Sequence, residues 1–193
     1  MVDTRYDYCI GTVNSRLQKT LTIMLAEAGF YSAGTAESTP VLLRKLRIIQ
    51  PWLVVIDTAL PPGNIEELAE IIENDALAAC LFINTTGSDL ERYVQLTWPV
   101  EAPVLSAVAG AVCSEFGRKK KLQQEVETLQ KKLNERKIMD KAKGLLQNLY
   151  SVSEEEAFQF LRKTSMQKRL TMAEMADLVI KDPDLFSSSK QHR

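Results

Sequence analysis

The chain has 193 residues, 45% of them hydrophobic and 25% charged, with a formal net charge of -1. That is room for one domain of ordinary size and a smaller appendage. No apolar run approaches the roughly 20 residues that span a bilayer, and MVDTRYDY lacks the basic end and apolar stretch of a signal peptide, so a cytoplasmic protein without membrane contact is expected. Cys9, Cys80 and Cys113 are scattered among apolar neighbours with no CxxC pair, and the single histidine is His192 in the tail. Buried free thiols are expected, and neither a metal site, a cofactor site nor a Cys/His nucleophile has raw material. No constellation of acid, base and nucleophile stands out, so the chain is not expected to be an enzyme. The charge is uneven. Residues 1–117 carry 7 basic and 14 acidic residues (-7), and residues 118–193 carry 17 and 11 (+6). A polyanionic partner, if there is one, belongs to the second part.

Residues 1–117 alternate strand and helix patterns. YDYCIGTV is a short strand. Asn14–Gly29 is an amphipathic helix with Leu17, Leu21, Met24, Leu25 and Ala28 on one face, ended by Gly29. Phe30–Ala33 is a short strand. Thr39–Ile49 is a helix with Val41, Leu42, Leu46 and Ile49 inward, ended before Pro51. WLVVID is a near-continuous apolar run of the kind buried on both faces of a parallel sheet. The loop TALPPGN leads to a helix over Ile65–Asn74. CLFIN is a second buried strand, Ser88–Leu96 is expected to be helical, APVLS to be the last strand, and Ala107–Phe116 to begin another helix. The alternation predicts a doubly wound α/β domain.

In such sheets function gathers at the C-terminal ends of the strands, and Asp57 stands there, four residues ahead of PPGN. This resembles a response-regulator receiver domain, a flavodoxin-like fold whose phosphoacceptor aspartate ends the third strand. The resemblance implies that Asp57 is the phosphoacceptor-like residue. It also implies an acidic pair after the first strand to hold Mg²⁺ and a lysine at the end of the last strand. This chain has Thr12, Val13 and then Asn14 at the first place and about Ser106 at the second. Only a switch-type hydroxyl, Thr85 or Thr86, survives. Transfer of a phosphoryl group to a carboxylate brings two anions together, and without a divalent cation and a lysine nothing neutralises them. A pseudo-receiver with an inactive Asp57, used for protein contact, is expected.

Residues 118–135 are rich in Lys, Glu, Gln and Leu. Leu122, Val126, Leu129 and Leu133 follow at spacings of four, three and four, a coiled-coil seam that predicts homodimerisation. The seam then breaks, and a second stripe of Ile138, Ala142, Leu145 and Leu149 opens a segment over residues 136–182. S-x-x-E at Ser153–Glu156 and T-x-x-E at Thr171–Glu174 are capping boxes that start two further helices. The second helix presents Ala157, Phe160, Leu161 and Thr164. The third presents Met172, Met175, Ala176, Val179 and Ile180. Three such short helices are expected to form one small three-helix bundle, with a frayed tail over residues 183–193.

The run from Ile138 to Ile180 resembles an ANTAR domain, the RNA-binding module of bacterial transcription antiterminators. The matching pieces are AKG at Ala142–Gly144 followed by two leucines, S-x-x-E-A-F at Ser153–Phe158, Leu161–Arg162, Met166, and R-L-T ahead of an Ala176-containing helix. The resemblance implies a dimer that binds paired hairpins in nascent leader RNA and prevents a terminator from forming. It also implies control through the first domain by a ligand-sensing protein or a kinase. The candidate RNA-binding residues are Lys137, Lys141, Ala142, Lys143, Gly144, Arg162, Lys163, Lys168 and Arg169. The alternatives are a phosphorylation-gated response regulator acting at Asp57, and a coiled-coil adaptor that binds no nucleic acid.

Overall fold

The computed structural model describes residues 6–87 and 90–182. It divides into two compact units, Met1–Leu122 and Gln123–Arg193. In the first unit the elements are β1 (Asp7–Gly11), α1 (Ser15–Glu27), β2 (Tyr31–Ala36), α2 (Thr39–Ile49), β3 (Leu53–Asp57), α3 (Ile65–Asn74), β4 (Ala79–Asn84) and β5 (Gln95–Thr97), followed by the start of α4 (Ala102–Tyr150). Every strand pairing is parallel, in the order β2-β1-β3-β4-β5. That is the doubly wound order whose strand-end crevice lies between β1 and β3.

Local chemistry sets the helix ends. The Asn14 side chain accepts from the amides of Arg16 and Leu17, and the Asn64 side chain accepts from Glu66, so two of the three crossover helices begin on an asparagine cap. Gln50 closes α2 in the left-handed region ahead of Pro51. The sheet is covered on both faces. Tyr8, Ile10, Leu53, Val55 and Leu81 meet α1 and the front of α4 through Leu17, Leu21, Leu25, Leu105, Ala109 and Cys113. Cys9, Val54, Ile56 and Phe82 meet α2 and α3 through Leu42, Leu46, Leu68 and Ile72. The all-buried β3 explains why WLVVID carries no alternation.

Two expectations are corrected. Residues 88–89 lie outside the described residues, but the remainder of the expected Ser88–Leu96 helix is a turn that runs into β5. APVLS is the first turn of α4 rather than the last strand. A proline is tolerated in a first helical turn, and Leu105, Ala109 and Cys113, four apart and all buried, show the helical period. The position at the end of the last strand is therefore Thr97–Trp98, not Ser106. Neither is a cation, so the expected lysine is absent there too.

In the second unit, the later part of α4 forms a bundle with α5 (Glu154–Lys168) and α6 (Met172–Lys181). Its core is Ala142, Leu146, Ala157, Leu161, Met175, Ala176 and Val179. Both capping boxes are formed, Ser153 with Glu156 and Thr171 with Glu174. The stripe on α4 is corrected. It follows Ile138, Ala142, Leu146 and Tyr150, while Leu149 is 58% exposed. Leu145 and Leu146 stand three and four residues beyond Ala142, and either satisfies helical spacing; the bundle uses the latter. The tail 183–193, with His192, lies outside the described residues. Among the described residues no helix is long and apolar enough to cross a membrane.

Candidate nucleic-acid interface

The strand-end pocket comes first in the chain. Asp57 is only 2% exposed. Its Oδ2 accepts from Thr12 Oγ1 at 2.7 Å. Its Oδ1 accepts from Thr85 Oγ1 at 2.5 Å and from the Ala59 amide at 3.0 Å. Thr12 Oγ1 in turn accepts from the Asn14 amide, and the Asn14 side chain is engaged at the start of α1. Beside them, Thr58 Oγ1 lies 3.2 Å from Thr86 Oγ1 and accepts from the Thr85 amide. Of the two candidate hydroxyls it is Thr85 that reaches Asp57. The carboxylate is thus enclosed by neutral donors from the ends of β1, β3 and β4, and its partners include no cation. A buried carboxylate needs such donors, and here both of its oxygens are engaged.

The cysteines are free. Burial pushes the thiols of Cys80 and Cys113 up to about 12 and that of Cys9 to about 11, so none is poised as a thiolate nucleophile. Among the described residues no group of three or more His, Cys, Asp or Glu is placed to hold a metal ion.

The seam on α4 is bare. Leu122, Val126, Leu129 and Leu133 are all exposed. Polar residues fill the positions between them, and the four large apolar side chains in one helical row stand uncovered among the described residues.

In the bundle, the cations divide into two groups. Lys143 Nζ lies 3.0 Å from Asp140 Oδ1 and 2.7 Å from Glu154 Oε1, and its side chain is only 18% exposed. The hydrogen bonds to Glu154 and then Asp140 hold its pKa above the usual lysine value. Lys143 therefore ties α4 to the start of α5. Lys137, Lys141, Arg162, Lys163, Lys168 and Arg169 are exposed and form no ion pair among the described residues. Arg162, Lys163 and Lys168 stand on α5. Arg169 is its C-cap, in the left-handed region at φ 55°. Ala142 is fully buried in the bundle core, which corrects the expectation that its side chain meets RNA. Gly144 faces open space: a Cβ built there meets nothing within 4 Å. Close packing among the described residues does not explain that glycine. Sequence reasoning missed the Lys143–Asp140–Glu154 cluster, although the i,i+3 spacing of Asp140 and Lys143 carried half of the signal.

Residues 127–180 match the family model described as ANTAR domain. The ANTAR match thus covers the C-terminal segment, and the domain ahead of it has the receiver fold. It is 26% identical over 165 residues to transcriptional regulatory protein PdtaR of Mycobacterium tuberculosis, across 81% of this chain and 80% of that one. The solved structure of response regulator StyR is similar in fold, with a TM-score of 0.62 and 15% identity over 91% of this chain and 98% of that one. The signal receiver domain of a modulated diguanylate cyclase from Desulfovibrio desulfuricans aligns with a TM-score of 0.52 and 19% identity over 58% of this chain and 97% of its own. The family match opens at residue 127, so it takes in the back half of the exposed seam as well as the bundle.

Proposed function

We propose that this protein is a cytoplasmic RNA-binding regulator of transcription that acts by antitermination, as a homodimer, through contact rather than catalysis. The observation that carries the reading is the set of exposed cations without ion pairs among the described residues, on a bundle that matches the ANTAR domain. Lys137, Lys141, Arg162, Lys163, Lys168 and Arg169 offer six positive charges to phosphates. Gly144 leaves α4 bare enough for an RNA backbone to approach closely. No sheet of stacking aromatics is present in the bundle, so a structured hairpin suits the surface better than a long single strand.

Three divisions follow. Residues 1–117 receive a signal, residues 118–135 pair two chains through Leu122, Val126, Leu129 and Leu133, and residues 136–182 bind RNA. Two bundles on one dimer hold two hairpins, and each weak contact gains from the effective concentration set by the other. Holding two hairpins of a nascent leader keeps a terminator from forming. The enclosed Asp57 favours a phosphate-independent input, in which a sensor protein binds the first unit and withholds or releases the chain.

The test is fluorescence anisotropy of the full chain with labelled RNA hairpins and with duplex DNA of equal length. Hairpin binding that exceeds duplex binding and falls when Lys141 and Arg162 become Ala is expected. Equal affinity for the duplex, or no loss in that double variant, overturns the reading.

A further inference from the structure

Met166 is 71% exposed, the most exposed large apolar side chain described in the second unit. It stands on α5 and is not part of the α4 seam. On α5 its neighbours three and four residues back are Lys163 and Arg162, and Arg169 stands in the turn that closes the helix. That is an apolar side chain beside two cations at helical spacing, with a third cation three residues further along the chain.

Arg169 adds an independent observation. α5 ends in a Schellman turn: the Leu170 amide donates to Ser165 O at 2.9 Å and the Arg169 amide donates to Met166 O. The left-handed residue of such a turn is ordinarily glycine, which takes that conformation without steric cost. Here an arginine holds it, at φ 55° and ψ 38°. Its side chain bonds to nothing described in this chain, so the fold gains nothing from the substitution.

We infer that Met166 is an apolar contact for an unstacked base of the RNA loop, with Arg162, Lys163 and Arg169 holding the phosphates on either side of that base. This rests on the RNA-binding reading above. The charge decides the occupant. A second copy of this surface would set three cations against three, which repels. A nucleotide offers a flat apolar face and an anion together. A thioether is soft and polarisable and packs well on the face or edge of a ring. Bases in a duplex are stacked and out of its reach, whereas those of a hairpin loop are splayed and accessible.

The experiment uses the full chain and a hairpin that the wild type enriches from a library with a fixed stem and a randomised loop. Affinity is measured against salt concentration, with a scrambled loop on the same stem as control. Met166→Ala is expected to weaken binding roughly tenfold while leaving the salt slope unchanged. Lys163→Ala reduces that slope by about 0.7–1 instead. Met166→Lys is expected to steepen the slope yet lose discrimination between the two loops. Arg169→Gly is expected to raise the melting temperature while binding weakens, a split that a purely structural turn cannot produce. Wild-type affinity in Met166→Ala, or tighter binding with discrimination intact in Met166→Lys, overturns the inference and leaves the RNA-binding reading standing. So does a change in sedimentation that accounts for the loss, since it assigns Met166 to self-association. If the wild type enriches no hairpin, the RNA-binding reading falls and this inference with it.

Discussion

At Asp57 the chain surrounds a buried carboxylate with its own Thr12 and Thr85 hydroxyls and the Ala59 amide. On α5 it leaves Arg162, Lys163 and Lys168 exposed and without an ion pair among the described residues. The first region is closed: its polar groups answer one another, and the partners of Asp57 among the described residues are neutral. The second is open, with positive charge maintained at the cost of repulsion and without internal return. The contrast teaches where to look for binding. A satisfied polar cluster stabilises the fold, and an unsatisfied one of single sign faces a partner.

The largest effect that would sharpen this contrast lies on the seam. Leu129→Lys is expected to turn a dimer into a monomer in sedimentation, and to lower affinity for a two-hairpin RNA about a hundredfold through lost avidity, with affinity for a single hairpin unchanged. The enclosed pocket comes next. Asp57→Ala leaves the Thr12 and Thr85 hydroxyls without their acceptor and is expected to cost about 1–3 kcal/mol of stability, read from chemical denaturation. Acetyl phosphate with Mg²⁺ is expected to leave the wild type unlabelled in intact-mass measurement. Stoichiometric labelling at Asp57 would break the comparison by showing the pocket to be open.

The two kinds of lysine then separate. Lys141→Ala is expected to weaken hairpin binding severalfold with the melting temperature unchanged. Lys143→Ala lowers the melting temperature first, because it removes the tie between Asp140 and Glu154. The smallest effects belong to the bundle's own fold. Gly144→Ala fills open space in a helix interior and is expected to stabilise the second unit by up to about 1 kcal/mol, with weaker RNA binding if the backbone of α4 is approached closely. Glu174 is held below its ordinary value of 4.5 by hydrogen bonds from the Thr171 backbone and side chain. Its contribution is complete above that value and lost as pH falls through the lower, folded-state pKa. Acid titration of the melting temperature checks this, and Thr171→Ala should flatten it.

Much of this was legible in the sequence. α2 and α3 run over Thr39–Ile49 and Ile65–Asn74 as their patterns predict, because Pro51, Gly63 and Asn64 mark their limits chemically. Ser153–Glu156 and Thr171–Glu174 announced α5 and α6 for the same reason. The passage from β4 to α4 was not legible. PVLSAV is apolar enough for a strand and Ala-rich enough beyond for a helix, and only burial of Leu105, Ala109 and Cys113 on one side decides between them. The pocket was half legible. Sequence showed that its acidic pair is gone, but the Thr12–Asp57 and Thr85–Asp57 bonds join residues 45 and 28 positions apart, and no local pattern reports such pairs. On the bundle, sequence gathered the cations but could not divide Lys143 from Lys141. It put Ala142 both on the apolar stripe after Ile138 and among the RNA-binding candidates, and only the bundle's geometry decides for the core.

The central claim is that the open cationic surface of the second unit binds structured RNA while the closed pocket of the first takes no phosphoryl group. Its most direct test is titration of the full chain into a labelled RNA carrying two hairpins, beside each hairpin alone and a duplex DNA of the same length. The account predicts one dimer per two-hairpin RNA, at least tenfold tighter than to either hairpin alone, with duplex DNA weaker than all three and acetyl phosphate without effect. Binding that is equal for duplex DNA, or that appears only after acetyl phosphate treatment, contradicts it.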